Sequence, residues 1–390
     1  MITADDIEAR LAGLDGIGAT DAGFHRLAWT DEDRAAAAWF AEQGARLGLR
    51  VERDGAGNLW AVPDVPPPWW GVGSHLDTVA GGGRYDGALG VACAFAIAAA
   101  IDRAVAVVSF ADEEGARYNT PTFGSRALVG RLDVDDVLAR ADASGVTMAD
   151  AMQRFGVDPA GLRAAPVALE RLRGFLEIHI DQSRALEEAG RPIGVVSALA
   201  GRMRVAVEID GEADHAGTTR RSERRDALAA AARLIVGAED LAAPNPDFVV
   251  TPTRVLVEPN ALSTIPGAVR LWLDARAPRI EDVHAWRTAV DEAATRIAGE
   301  RRVDIRLATA SRSAGVEFDA AVRAALVADG APELVCFAGH DAGVIGEQRP
   351  AGMVLVRNPT GVSHSPREDV SVADAAVAAN AVAAALEELA

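Results

Sequence analysis

Short apolar stretches divide the chain, and their texture changes twice. Residues 5–48 carry helical spacing interrupted by glycine, and Thr30 stands before Asp31, Glu32 and Asp33 as a helix N-cap would. Val51–Arg53 and Leu59–Val62 have short strand patterns around a turn at 54–58, and Pro66, Pro67 and Pro68 mark a loop. From Trp70 the pattern becomes strand, helix, strand, with Trp70–His75, Leu89–Ala100 and the β-branched run Ala104–Ala111. Unbroken apolar strands are buried on both faces, which predicts a mostly parallel sheet covered by helices. Phe175–Ile180 adds another such strand.

From Arg202 the pattern alternates. Met203–Ile209, 248–257 and 269–276 read as half-exposed strands, Ala227–Val236 as a helix, and Val303–Ala308 as a further strand. This is an α+β block of antiparallel character. Leu334–Phe337, Met353–Val356 and a helix over Asp374–Leu389 then restore the first texture. The order predicts a discontinuous α/β domain, 1–204 with 318–390, and an inserted α+β domain at 205–317.

Composition narrows the function classes. With 390 residues and 49% hydrophobic content the chain can bury a large core, so disorder is excluded. Its 57 acidic residues against 39 Lys plus Arg leave a net charge of -18, which disfavours nucleic acid and anionic membranes. Cys93 and Cys336 are too few for a disulfide scaffold and read as small buried hydrophobes. The longest apolar run, 88–101, is too short to span a bilayer, and Met1–Asp6 lacks the order of a signal peptide. A soluble, cytoplasmic protein is expected.

Histidine is scarce, and five of the seven lie in polar, glycine-flanked segments: His75, His179, His215, His340 and His364. His25 and His284 read as structural. In parallel sheets ligands gather outside the carboxyl ends of strands, where His75 and Asp112-Glu113-Glu114 fall. His75 and Asp77 stand two apart, so one could bind a metal while the other orients it. Asp86 follows closely enough to reach back, and of the adjacent Glu113 and Glu114 one could ligate while the other acts on water. With His179 and His364 these residues suit one or two divalent ions such as Zn²⁺, Mn²⁺ or Co²⁺. The plain alternatives are structural strand histidines and an acidic loop. The Gly81-Gly82-Gly83 turn lacks the Lys-Ser/Thr tail of a phosphate loop, and no Gly-x-Ser-x-Gly nucleophile elbow occurs.

These segments carry a resemblance. Gly73–Val79, Gly82–Gly87, Asp112–Gly115, Glu177–Gln182, His215–Thr219, Ile265–Gly267, Leu273–Arg276, Gly339–Ala342 and Ser363–Glu368 occur in the order found in the M20 group of dinuclear metallohydrolases. The sequence resembles its amidase branch, which includes N-carbamoyl-L-amino-acid hydrolases, β-ureidopropionases and allantoate amidohydrolases. The resemblance implies two divalent ions per subunit (Zn²⁺, Mn²⁺, Co²⁺ or Ni²⁺), held by His75, Asp86, His179, Glu114 and His364, with Asp86 bridging. It implies Glu113 as general base, Asp77 as the partner that fixes His75, and His215 as a substrate and oxyanion contact. Gln182, Ser263 and Arg276 match substrate-contacting positions, Arg276 being suited to a carboxylate. It also implies that 1–204 with 318–390 is the metal-binding catalytic domain, and that the insertion is a lid that forms a homodimer. The expected activity is hydrolysis of a C–N bond in a small anionic ureide. An N-carbamoyl-L-amino acid leads, allantoate is close behind, and aminoacylase or dipeptidase activity is a third possibility. A non-catalytic metal-binding protein is the reading from a different class, and the intact ligand set argues against it.

The sequence departs from the family pattern at four places. Asp181 replaces a glutamate and Ser183 a glycine. Ser263 replaces an asparagine that contacts substrate and lacks its amide fork. Arg220 replaces a proline and is followed by Arg221. These arginines favour a more anionic substrate if they face the cleft, and are otherwise solvated.

Overall fold

A computed structural model describes residues 1–327 and 330–389. It divides into two compact units, Met1–Ser197 with Glu317–Ala390, and Ala198–Val316. The division falls at Ala198, earlier than the expected 205, because the whole strand Gly201–Asp210 belongs to the second unit's sheet.

Among the described residues the first unit holds a nine-stranded sheet. Its centre is parallel: Ala351–Val356 pairs with Leu172–Ile180, which pairs with Trp69–His75, which pairs with Val105–Phe110. Its flanks are not. Leu59–Val62 runs antiparallel to both Val105–Phe110 and Arg50–Arg53, and Ile193–Leu199 runs antiparallel to Ala351–Val356. The expected mostly parallel sheet is therefore corrected to a mixed one. The reason is connection length: the hairpin Arg50–Val62 turns within a few residues, which only antiparallel strands allow.

The central strands are apolar because both faces are covered. Helix Ala88–Ala100 is built from Ala, Gly, Val, Leu, Cys, Phe and Ile, and its first ten residues are buried, Cys93 among them. Its small side chains let it lie close to the sheet: a Cβ on Gly90 would stand 2.2 Å from the Ile178 carbonyl oxygen. Helix Val372–Glu388 packs into the same core through Ala375, Ala379, Val382 and Leu386. Thr30 caps helix Asp31–Arg46 by accepting from the Asp33 N–H. The stretch between Phe123 and Arg171, which carries no clear sequence pattern, forms three short helices and a run of 3₁₀ turns.

The second unit is a four-stranded antiparallel sheet in the order Val249–Glu258, Ala268–Ala277, Gly201–Asp210, Asp304–Ser313. Met203, Val205, Val207 and Ile209 alternate inward against helices Ala227–Ala242 and Ile280–Arg301. His284 is exposed on the second of these helices. Among the described residues no helix is long and apolar enough to cross a membrane.

Candidate metal centre

Parallel strands deliver their carboxyl ends to one edge of the sheet, and the site is assembled there. His75 ends strand Trp69–His75 and stands beside Phe110 in the register, while His179 lies near the end of Leu172–Ile180. Asp86 sits just before helix Ala88–Ala100, where Gly87 adopts φ +66°. A Cβ on Gly87 would come within 2.4 Å of the His75 ring, so only glycine lets this turn pass. Glu113 and Glu114 follow strand Val105–Phe110 in a turn where Asp112 (φ +49°) and Gly115 (φ +60°) are left-handed. His364, at φ +55°, arrives from a later loop.

One carboxylate organises the centre. Asp86 Oδ1 lies 3.1 Å from His179 Nε2 and 3.4 Å from His75 Nε2. Asp86 Oδ2 lies 3.6 Å from His364 Nε2, which is 3.3 Å from Glu114 Oε2. Two ligand groups therefore share Asp86: His75, Asp86 and His179, and Asp86, Glu114 and His364.

The imidazoles are oriented for a cation. His75 Nδ1 is 3.0 Å from the Asp77 carbonyl oxygen, and His179 Nδ1 is 3.1 Å from that of Ile180. A carbonyl can only accept, so each Nδ1 donates, and in the neutral ring each Nε2 presents a lone pair. Both Nε2 atoms, and Glu114 Oε1, are buried without a hydrogen-bond partner. Lone pairs facing carboxylate oxygens at 3.1–3.4 Å have the spacing of two ligands on one tetrahedral ion, about 3.3 Å for bonds of about 2.0 Å. The residues fit divalent metal ions.

The electrostatics agree. Burial disfavours charge on His75, yet Asp86, Glu113 and Asp77 outweigh it and raise its pKa well above the usual range. Burial also opposes ionised Asp86, but His179 and His75 hold it well below the carboxylate range. Burial, with Asp341 and Glu114, drives Glu113 well up against the pull of His75, and burial beside Asp86 pushes Glu114 up to about 8. The site holds more carboxylate than its own imidazoles can balance, and added cations would correct this.

Asp77 acts differently from expectation. Its carbonyl, not its carboxylate, fixes His75; the nearer carboxylate oxygen is 3.7 Å from Nδ1. The carboxylate accepts the N–H groups of Glu113 and Glu114, each at 3.1 Å, and so holds both glutamates in place. Glu113 Oε2 is 3.8 Å from His75 Nε2. Gln182 Nε2 donates to Asp86 Oδ2 at 3.1 Å, putting it beside the ligands. Asp181 turns away: it accepts from the Ser183 N–H and hydroxyl and from the Leu186 N–H, and so caps a turn.

Three residues without an assigned sequence role belong here. Glu368 Oε1 accepts the N–H groups of Tyr85 and Asp86, both at 2.9 Å, and fixes the Asp86 loop. Glu177 accepts from the Ser74 hydroxyl and from the Ala342 N–H, both at 2.8 Å. His340 packs on His179 with ring centroids 4.3 Å apart; its two ring nitrogens are buried without partners, and burial beside His179 lowers its pKa well below the usual range. Glu177, His179 and His340 form a third group of close ligand atoms. The signals available were the alternation of Glu177 with His179 and the polar segments around His340 and His364.

His215, Ser263 and Arg276 lie in the second unit. His215 pairs with Thr264 across a two-residue bridge, and the Ala216 N–H donates to the Ser263 carbonyl at 2.8 Å, so the first two are neighbours. His215 Nδ1 accepts the N–H groups of Gly217 and Thr218, at 3.0 and 3.1 Å. The neutral ring therefore carries its proton on Nε2, as a donor. Arg276 Nε donates to Asp274 Oδ1 at 2.7 Å. Arg220 and Arg221 are exposed.

The chain is 36% identical over 397 residues to an N-carbamoyl-L-amino acid amidohydrolase of Geobacillus stearothermophilus, covering 97% of each chain. It is 32% identical to an allantoate amidohydrolase of Bacillus subtilis, covering 95% of this chain and 93% of that one. The crystal structure of an amidase of the hydantoinase/carbamoylase family from Burkholderia multivorans superposes with a TM-score of 0.87 at 29% identity, over 99% of this chain and 97% of the other. Residues 62–388 match the model of peptidase family M20/M25/M40. The chain belongs to that family.

Proposed function

We propose that the protein is a metal-dependent amidohydrolase that cleaves a C–N bond in a small, carboxylate-bearing ureide, foremost an N-carbamoyl-L-amino acid. The observation that carries this reading is the single carboxylate, Asp86, shared by two ligand groups with Glu113 beside them. His75, Asp86 and His179 would hold one divalent ion, and Asp86, Glu114 and His364 a second. When bound, such ions lower the pKa of a water and polarise the scissile carbonyl.

The protein's own residues supply the rest. Glu113 is buried and its proton affinity is raised, which suits a base that takes a proton from water and returns it to the leaving nitrogen. Asp77 holds the Glu113 backbone, and so the base, in register with the ligands. His215, with its proton on Nε2, donates to the oxyanion that develops on the carbonyl. Arg276 pairs with the substrate carboxylate, and Gln182 and Ser263 make further polar contacts. A carbamoyl substrate and one water yield the free amine, CO₂ and ammonia. We further propose that the second unit serves as lid and as homodimer interface.

A side-by-side panel tests the reading: N-carbamoyl-L-amino acids, allantoate, N-acyl-amino acids and dipeptides, with Mn²⁺, Co²⁺ or Zn²⁺. The highest kcat/KM is expected on N-carbamoyl-L-amino acids. Release of neither ammonia nor amine from any member would falsify the proposal.

A further inference from the structure

We infer that Asp181 and Ser183 are positioning residues for the metal centre: they bond each other across Gln182 and so hold its amide against Asp86. The inference rests on the ligand role proposed for Asp86.

Strand Leu172–Ile180 runs directly into Asp181, and helix Ala185–Glu188 follows. The chain between them must turn while carrying Gln182 to the centre. Asp181 is 3% exposed, and its N–H donates to the Val356 carbonyl at 2.7 Å. Its Oδ1 accepts the Ser183 N–H at 2.9 Å and the Ser183 hydroxyl at 2.6 Å, and its Oδ2 accepts the Leu186 N–H at 3.1 Å. Ser183 Oγ in turn accepts the Ala185 N–H at 3.1 Å. Short Asp and Ser side chains bond their own backbone in this way, and here the bonds fix the chain on both sides of Gln182.

The Gln182 amide is spent on the ligands. Its Nε2 reaches Asp86 Oδ2 at 3.1 Å and Ser363 Oγ at 3.2 Å, and the Ser363 hydroxyl donates to the same Oδ2 at 2.9 Å. The loop that brings Ser363 lies against the turn, since a Cβ on Gly361 would stand 2.3 Å from Arg184 Cγ. Oδ2 is the oxygen that faces His364. Donors to a ligating carboxylate fix the direction of its lone pairs, so a loose Gln182 would weaken metal binding. A turn that served only as a helix cap would act without regard to metal. The helix it would cap is a single turn with one buried residue, Leu186, so a cap alone has little to stabilise.

The test is a double-variant cycle in the full-length chain, read as Zn²⁺ and Mn²⁺ dissociation constants by competition with a chelating dye. Asp181→Ala and Gln182→Ala should each weaken binding about tenfold. The double variant should lie within about twofold of Gln182→Ala, because Asp181 acts through Gln182. Ser183 is exposed, so Ser183→Ala spares the fold. That variant should weaken binding about threefold alone and leave Gln182→Ala unchanged. Losses that multiply in the double variants, or no loss in the single ones, would overturn the inference and leave the proposed function standing. A wild-type chain that binds neither Zn²⁺ nor Mn²⁺ refutes the metal-dependent function itself, and this inference with it.

Discussion

At Asp86 one buried carboxylate faces three imidazoles, and its own geometry is set by neighbours far away in the chain. Glu368 holds its backbone, while Ser363 and Gln182 donate to Oδ2. The Glu113 backbone is held by Asp77, and its carboxyl, beside His75, is the proposed base. Glu113→Gln should therefore lower kcat by about 100- to 10,000-fold. Metal content, read by atomic emission, should not change. Full turnover in that variant would remove Glu113 as the base. A second prediction concerns pH. In the metal-free protein burial, reinforced by Asp86, raises Glu114 to about 8 and Glu368 to about 7. A carboxyl that binds its proton more tightly when folded costs stability as pH rises from the ordinary carboxylate range through the raised value. His75, held above its ordinary range by Asp86 despite burial, acts in the same direction. Asp86 is depressed, so its contribution is fully present and constant across this window and is lost only in acid. The metal-free protein should denature at lower urea near pH 8 than near about pH 6, with added Mn²⁺ or Zn²⁺ restoring most at the higher pH. A flat urea midpoint across that range contradicts the account. The candidate ligand residues were legible in the sequence because few side-chain types bind metals, these ones stand at strand ends, and the family resemblance assigned them that role. The orienting role of the Asp77 carbonyl was not, because residue type says nothing about which atom of a residue meets a neighbour.

The strands matter as carriers of these residues, and glycine makes their packing possible. A Cβ on Gly73 would fall 1.8 Å from the Val108 carbonyl oxygen in the adjacent strand. Gly73→Ala should force Trp69–His75 away from Val105–Phe110, at a cost of about 3 kcal/mol or more. The check is a calorimetric or urea melt beside the wild type, with metal content measured in parallel. An unchanged melt would mean that the strands have more slack than this contact allows. Strands that are apolar throughout, such as Ala351–Val356, and strands that alternate, such as Gly201–Asp210, were both readable, since burial on two faces or one leaves its own period. Ile193–Leu199 and the short helices between Phe123 and Phe155 were not. Their patterns are brief, and their packing partners are set by the tertiary structure.

For the whole molecule, the second unit leaves and re-enters the first between neighbouring strands: the Phe318 N–H donates to the Ser197 carbonyl at 3.0 Å. An insertion whose ends meet this closely leaves the host sheet intact. The unit's edge strand Val249–Glu258 exposes Val249, Val255 and Leu256, and helix Ala227–Ala242 exposes Leu228, Val236 and Leu241. Among the described residues this edge has no pairing strand, and such an edge beside apolar side chains suits pairing with a second copy. Sedimentation should give a dimer for the wild type and a monomer for the double variant Val255→Glu, Leu256→Lys; a variant that remains dimeric would put the interface elsewhere. By itself the amino-acid order determined the candidate metal-ligating side chains, the alternation of α/β and α+β textures and the insertion, because these depend on residue type and local period. Only the tertiary structure decided that the flanks of the first sheet run antiparallel and that Asp181 caps a turn. It also decided that Glu368 fixes the Asp86 loop and that His340 packs on His179. Apart from the Asp181 turn and the Arg50–Val62 hairpin, these join residues distant in sequence, so they depend on strand register and loop closure and have no local period to betray them.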